Sequence, residues 1–593
     1  MSQPLQFYIS EKQLFKNELA GVNRKLRTSG VIRLIFAGLL IFGIYYFFSI
    51  TEVVVPLIVV GIIVFIFLVS KHSDLDRRRS KLKALIRINE TEINVLNGNL
   101  ESLATGRKFE DHSHQYSYDI DLFGNGSFFQ YLNRTVIVSG KKLLANMLVS
   151  NDTFEIVNKQ EAIKELSEKP KWRQNFSATG SLVEVETKAS QIVSWLTNHS
   201  AFVPKSMKIL PLLFTGISLL IFVLNYLNII PLSVTTIWFF VGVGVTGIYL
   251  KRINEFYQNA SKAKETFKQY HQLLDLIERE EFTSKLLKSK QEEIKKESKK
   301  ASEIFLQFSK MLDAFDQRNN MLVGVVANAF ALRDLQLCYK IETWIDTYQD
   351  QVAHWFDVIS FFDAQNSLGN YVFNHPEHCF PEIVSSKFVI DAEQIGHPLI
   401  AKEKRVDNNF SIHGTDFFII TGANMAGKST FLRTVSLSII MANTGLPVCA
   451  KRFDYTPIKL ITSMRTSDSL TDDESYFFSE LKRLKMIIES VQLAEKPGDY
   501  FIILDEILKG TNSTDKAIGS RKFVERLVKL GAMGIIATHD LSLCEISKDL
   551  SEVKNHYFDA EIIDNELHFD YTFKDGICKN MNASFLLKKM EII

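Results

Sequence analysis

The stretch Gly422–Ser429 reads GANMAGKS, directly after the apolar run Phe417–Ile420 and before Thr430–Ala442, which has the composition of a helix. A Gly-x4-Gly-Lys-Ser pattern between a strand and a helix N-terminus is a phosphate loop. Gly422 and Gly427 let the backbone curl so that successive N–H groups point at phosphate oxygens. Lys428 brings a point charge to the β- and γ-phosphates, and Ser429 offers a hydroxyl to Mg²⁺. Short β-rich runs alternating with helices around this loop predict an α/β nucleotide-binding domain in the last third of the chain.

Two more stretches supply what the loop lacks. Tyr500–Glu506 reads YFIILDE, an apolar strand ending in adjacent carboxylates. Asp505 is suited to holding Mg²⁺ through its water shell, and Glu506 to polarising an attacking water. Ile535–Asp540 reads IIATHD and sets His539 just past another apolar strand. Beside Lys428, Asp505 and Glu506 it becomes a candidate γ-phosphate sensor. The predicted ligands are ATP and Mg²⁺, with Lys428, Glu506 and His539 catalytic and with Ser429 and Asp505 on the metal.

At 593 residues the chain exceeds a single core and predicts three or four units. Charged residues make up 23% and the formal net charge is +1, so no global field announces a nucleic-acid partner, although a local patch is compatible with these numbers. Five scattered cysteines (Cys338, Cys379, Cys449, Cys544, Cys578) form no ligand pair and read as reduced thiols. Glu11, Lys12, Lys16 and Glu18 make the first segment too polar for a signal peptide, so the apolar stretches are expected to remain in the mature protein.

Those stretches predict four membrane spans in two hairpins. Leu34–Ile50 has 17 residues without a charge and Val53–Ser70 has 18, with Thr51 and Glu52 between them. The second pair is Ile209–Leu227 and Leu232–Leu250, broken near Asn228–Pro231. Each run is close to the roughly 20 residues that cross a bilayer. Basic residues flank the outer ends: Arg24, Lys25, Arg27, Arg33, Lys71 and Arg77–Arg79 for the first hairpin, Lys205, Lys208, Lys251 and Arg252 for the second. The connecting turns have none, which predicts a multi-pass protein of a bacterial inner membrane with every large segment in the cytoplasm.

Between and after the hairpins the pattern is helical. Ser80–Gly106 reads as a helix leaving the membrane, and 116–200 as mostly helical, broken near Pro170. Asn254–Ala331 has heptad-like spacing, and its charge run Glu278–Lys300 reads as a solvated face. Ala327–Leu368 continues as helix until Asn374–Pro381 interrupts it. The resulting division is 1–30 N-terminal segment, 31–72 hairpin one, 73–204 helical core, 205–252 hairpin two, 253–385 core and lever, and 386–593 ATPase domain.

The order of loop, Asp-Glu strand and Thr-His strand resembles the ATP-binding cassette superfamily, and more closely the MutS family of mismatch-repair ATPases. Gly422–Leu432 (GANMAGKSTFL) and Asp505–Thr511 (DEILKGT) followed by Asn512–Asp515 carry the resemblance, with Ile395–Leu399 (IGHPL) and Asn408–Phe410 introducing the domain. Ser127–Leu148 and Phe361–Pro381 are similar to the start and end of that family's helical core. The resemblance implies a multidomain α and α/β fold with an all-helical core and lever region and a C-terminal P-loop ATPase domain. It also implies that Gly422, Ala423, Asn424, Met425, Ala426, Gly427, Lys428, Ser429 and Thr430 bind nucleotide. Ser475 corresponds to the serine that completes the partner's γ-phosphate site, implying a homodimer through the ATPase domains, although Asp473 and Glu474 replace the glycine and basic residue expected before it. Lys574–Met590 is similar to the C-terminal dimer-contact helices.

The expected activity is ATP hydrolysis driving a conformational switch. Its load has two readings. The family implies double-stranded or branched DNA, with Arg134, Lys141 and Lys142 available to DNA or to membrane lipid. Only about thirty residues precede the first span, which leaves no expected mismatch-recognition domain. The alternative is a transporter-like or membrane-stress ATPase acting on a protein or lipid partner.

Overall fold

The computed structural model describes residues 2–182, 189–295, 299–385, 388–465, 476–496, 498–509, 512–563 and 566–579. Two long helices open it, α1 (Gln3–Tyr46) and α2 (Thr51–Leu96), packed together along their length. The polar N-terminal segment is thus one helix with the first apolar run, and the turn falls at Phe47–Ile50, ahead of the Thr51–Glu52 break read from sequence. Helix α2 stops at Leu96, because Asn97, Gly98 and Asn99 fold back on the last turn, so Ser80–Gly106 is helical only in its first part.

A helical module follows: α3 (Phe128–Leu132), α4 (Val138–Val149), α5 (Ile156–Ser167), α6 (Pro170–Gly180) and α7 (Ala189–Asn198). Pro170 opens α6 at its first turn, where its missing N–H costs nothing. Next come α8 (Leu210–Tyr226), α9 (Leu232–Arg279), α10 (Lys285–Glu292) and α11 (Ala301–Asp316). Then α12 (Met321–Ala331) and α13 (Arg333–Asn374) meet at an 82° bend. Leu332, at that bend, has φ 46° and is fully buried, so packing holds a left-handed conformation that a leucine alone would avoid. Phe267 on α9, Phe305 and Phe308 on α11, and Trp344 and Phe356 on α13 form the aromatic centre of this module.

Among the described residues, α1, α2 and α9 are each long and apolar enough to cross a membrane, and 0%, 6% and 11% of their most apolar stretches are buried. The remaining expected span, α8, is 17 residues long. One apolar element escaped the sequence reading: Met321–Ala331, read as the tail of a heptad region running on into the next helix, is a separate helix beside α8 and α9. Gly242 permits its close approach, since a Cβ there would sit 2.1 Å from the Ala329 carbonyl oxygen. Its outer face, Leu322, Val323, Val325 and Val326, is exposed.

The C-terminal part holds two sheets. Strands β1 (Glu382–Ile383), β2 (Phe388–Ile395) and β3 (Asn408–His413) join β5 (Arg452–Tyr455) in the order β1-β5-β2-β3. The main sheet contains β4 (Phe417–Gly422), β6 (Lys459–Ser463), β7 (Tyr500–Asp505), β8 (Met533–Ala537), β9 (Val553–Phe558) and β12 (Lys574–Asp575). Its order is β12-β9-β4-β8-β7-β6, parallel except for β12. A two-stranded ribbon, β10 (Glu561–Ile563) with β11 (Glu566–His568), completes the set. Helix α14 (Lys428–Thr444) packs on one face, while α15 (Tyr476–Gln492), α16 (Ser513–Lys529) and the short α17 (Ile546–Asp549) contribute to the other core. The uninterrupted apolar strands follow from this two-sided burial. The expected C-terminal helices at Lys574–Met590 begin instead as strand β12, and their remainder, from residue 580, lies outside the described residues.

The helical module and the sheet share a core in which Tyr116, Phe128 and Leu144 pack with Ile420, Leu432 and Phe558. Asp119 accepts hydrogen bonds from Thr462 Oγ1 (2.5 Å), Met464 N (3.1 Å) and Arg465 N (3.0 Å) at the sheet's edge. Arg134, expected on a basic surface, is instead largely buried against Glu92 and donates to the carbonyls of Tyr131 and Asn133.

Candidate nucleotide site

Ligands of parallel α/β sheets bind at the carboxyl ends of the strands. Here three adjacent strands, β4, β8 and β7, end at one cavity of about 560 Å³. The phosphate loop leaves β4, Asp505 and Glu506 leave β7, and His539 follows β8. The sequence separates these residues widely, and the strand order reunites them.

The loop is glycine-dependent at both ends. Gly422 has φ 151°, and a Cβ there would lie 2.5 Å from the Phe558 carbonyl oxygen of the neighbouring strand. Gly427 has φ 101° and caps α14, leaving the helix's first amides free for phosphate. Ala426 is buried beneath the loop while Met425 is exposed. Ala423, Asn424, Met425, Gly427, Lys428, Ser429 and Thr430 line the cavity, whereas Gly422 and Ala426 do not.

Lys428 Nζ donates to the carbonyls of Gly422 (2.7 Å) and Ala423 (2.9 Å) and lies 3.4 Å from His539 Nε2. Burial pushes its pKa down, with Asp505 and Glu506 opposing. Ser429 Oγ donates to Asp505 Oδ2 at 2.7 Å. A hydroxyl and a carboxylate in contact form the hard oxygen donor set that suits Mg²⁺, so this pair fits the expected metal. Burial raises the Asp505 pKa, and the Ser429 hydrogen bond opposes it.

Glu506 Oε1 lies 2.8 Å from His539 Nε2, and Lys509 Nζ is 3.8 Å from its other oxygen. The His539 hydrogen bond is the main cause that lowers the Glu506 carboxyl to about 2. Glu506 has φ 50° and Leu508 φ 60°, an unusual backbone for two non-glycine residues at a strand end. Buried Glu480 explains how the turn is held: its carboxylate accepts from Leu508 N (2.6 Å) and Lys509 N (3.1 Å). Sequence reading missed this anchor, as it missed His397, Arg405 and Tyr571, which also line the cavity. His397 stands in the quoted IGHPL stretch, but Arg405 and Tyr571 carry no local motif. Ser475, with Asp473 and Glu474, lies outside the described residues.

Phosphate loop, Asp-Glu strand and Thr-His strand, with β8 between the loop strand and the carboxylate strand, define a phosphate-loop nucleotide-binding domain of the ATPase class. Residues 418–589 match the family model described as MutS domain V. The chain is distantly homologous to mismatch-repair proteins. It is 33% identical to human MutS protein homolog 4 over 208 residues, covering 33% of this chain and 21% of that protein. It is 33% identical to the DNA mismatch repair protein MutS of Aquifex pyrophilus over 193 residues, 32% of this chain and 22% of that protein. Against the protein of the same name from Desulfatibacillum aliphaticivorans it is 28% identical over 274 residues, 44% of this chain and 30% of the relative. The chain therefore spans between about a fifth and a third of the length of the curated relatives it matches.

Proposed function

We propose that this protein is a Mg²⁺-dependent ATP hydrolase of the MutS type, working as a nucleotide switch attached to a membrane. The observation that carries the reading is the convergence of Lys428, Ser429, Asp505, Glu506 and His539 at the ends of three adjacent strands. Loop amides and Lys428 hold the triphosphate, Ser429 and Asp505 hold Mg²⁺ when it is bound, and Glu506 orients the attacking water. A carboxyl held near 2 is a weak base, since efficient bases have pKa values near the working pH. His539 Nε2 lies between Glu506 and Lys428. An incoming γ-phosphate beside Lys428 competes for the imidazole, and losing that partner makes Glu506 more basic. The base is thereby strengthened only when substrate is present.

Two copies paired through their ATPase domains, with Ser475 reaching the partner's nucleotide, follow from the resemblance. The exposed apolar faces of α1, α2, α8 and α9 support seating in a bilayer, with the ATPase and helical module in the cytoplasm of a bacterial cell. The bacterial relatives, named as DNA mismatch repair proteins, support DNA as the load. One observation favours the second reading, a membrane partner without DNA. A cavity of about 320 Å³ lies between α9 and α12, lined by Val243, Thr246, Leu250, Arg318, Asn328 and Asp334. Arg318 Nε and Asp334 Oδ2 pair there at 3.1 Å, beside apolar walls that suit an amphiphile.

Detergent-solubilised protein, assayed for ATP turnover and for salt-dependent binding to paired, mismatched and branched DNA, tests both readings. Turnover stimulated by one of these DNAs supports the first. Turnover without binding at low salt shifts the load to the membrane. Absence of Mg²⁺-dependent hydrolysis removes the proposal, as does extraction of the protein from membranes by alkaline carbonate for its anchoring.

A further inference from the structure

Helix α13 ends at Asn374, and the chain enters the β-rich part through His375, Pro376, Glu377, His378 and Cys379. His375 Nδ1 lies 3.2 Å from Glu377 Oε1, and His378 Nε2 lies 3.6 Å from the same oxygen. The three atoms fall within 4.8 Å of one another. Ligands about 2.0–2.1 Å from a tetrahedral ion stand about 3.3–3.4 Å apart, between these two separations.

The far side of each imidazole is also held. Tyr131 Oη lies 2.6 Å from His375 Nε2, and Tyr371 Oη lies 3.1 Å from His378 Nδ1. A polar partner on the second nitrogen is the usual way a metal-ligating histidine has its tautomer and ring direction set. The two rings lie nearly parallel, 9° apart, with centroids separated by 4.5 Å. Two protonated rings at that spacing repel, whereas two neutral rings offer lone pairs to a shared cation. Arg405, whose charge acts on His378, is engaged by Asp407 at 2.6 and 3.3 Å. His378 is buried, while the Glu377 side chain is 54% exposed and leaves a path for an ion and a solvent ligand.

We propose that His375, Glu377 and His378 form a binding site for a divalent first-row transition cation of the zinc type, with water as a further ligand. The site is separate from the nucleotide cavity and independent of the function proposed for it. Its location gives it a task. Tyr8 of α1 donates to Asn374 Oδ1 at 2.8 Å, and Asn374 Nδ2 donates to Glu92 of α2 at 2.9 Å. Cys379 exchanges backbone hydrogen bonds with Val448 (3.1 and 2.7 Å) in the β-rich part. A cation here pins the turn at which the first hairpin, α13 and the ATPase domain meet.

The test uses the tag-free full chain in detergent, loaded with zinc and dialysed against metal-free buffer containing Mg²⁺. About one zinc per chain is expected by mass spectrometry, with a thermal midpoint that rises on zinc addition. His375→Gln with His378→Gln abolishes both effects, and Glu377→Gln weakens affinity about tenfold or more. No retained zinc, or equal zinc and equal stabilisation in the double variant, overturns the proposal. Should the double variant not fold, Co²⁺ titration of the unaltered protein decides. The intense visible bands of a four-coordinate cobalt site support the assignment, and their absence overturns it.

Discussion

Glu506→Gln separates chemistry from binding at this site. The substitution keeps side-chain size and leaves an amide to face His539 Nε2, which stands 2.8 Å from the carboxylate. It removes the charge that orients water and accepts its proton. Losing a positioned general base costs about 10²–10⁴-fold in rate, or about 2.7–5.5 kcal/mol of transition-state stabilisation. Binding rests on other groups: loop amides, and Lys428 fixed by the carbonyls of Gly422 and Ala423. Taking one negative charge from a half-exposed cavity that receives a triphosphate relieves about 1 kcal/mol of repulsion, so affinity stays constant or rises about fivefold. Single-turnover hydrolysis with protein in excess, paired with equilibrium binding of a fluorescent ATP analogue in Mg²⁺, measures both quantities. A hydrolysis rate within about threefold of the unaltered protein would remove Glu506 from the chemistry. A loss of affinity beyond about tenfold would mean that the residue holds nucleotide.

Gly422→Ala should weaken ATP binding by about tenfold or more, because the added carbon meets a backbone oxygen at 2.5 Å; unchanged affinity in the same binding assay would contradict the tight packing of β4 on β9. In His539→Ala the Glu506 carboxyl, held at about 2 chiefly by His539, moves up toward the ordinary carboxylate range. Hydrolysis needs the ionised form, so the acid limb of the residual kcat/KM of the variant should lie at higher pH than that of the unaltered protein; superimposable acid limbs would refute the cause assigned to the shift. Phe267→Ala empties the fully buried centre of the helical module and should cost about 3–5 kcal/mol in denaturant unfolding, with a loss under about 1 kcal/mol contradicting the packing. Asp119→Ala should leave ATP affinity near normal while abolishing ATP-induced changes in protease protection of the helical module; retained protection changes would exclude this contact as the transmission point.

The nucleotide site was legible because its chemistry is local. A strand, a glycine turn and a helix start lie within Phe417–Ala442, and the carboxylates and histidine each end an apolar run. What held those ends in position was not legible. Glu480 is one acidic residue on an amphipathic helix until the fold brings it to the amides of Leu508 and Lys509. Arg134 illustrates the reverse error: a basic residue reads as surface charge, and only tertiary structure reveals buried Glu92 as its partner. Helix α12 was hidden for a third reason. Its eleven residues, apolar but for Asn328, are too few to register as a span, and its bend occurs at a leucine rather than at glycine or proline.

The proposed switch needs a mechanical link between the nucleotide and its load, and two sets of contacts are placed to serve as one. Arg465 and Arg483 are both bonded to the segment 115–121 of the helical module. Arg465 N donates to Asp119. Arg483 donates to the carbonyls of Gln115 (2.6 Å) and Thr462 (2.9 Å). Hydrogen bonds to charged groups are worth about 1.5–3 kcal/mol each, so moving Arg465 and Arg483 costs less if residues 115–121 move with them than if these bonds break. Residues 116–123 share a core with α3 and α4, and α4 packs on α13. Helix α13 is 42 residues long, about 63 Å at 1.5 Å per residue. One end touches α1 and α2 through Asn374, and the other bends into α12 beside the second apolar hairpin. Helix α4 meets α13 at Ser360 and Asp363, in the half that ends at Asn374, so in the proposed switch a shift delivered there tilts the rod and moves the two hairpins relative to each other.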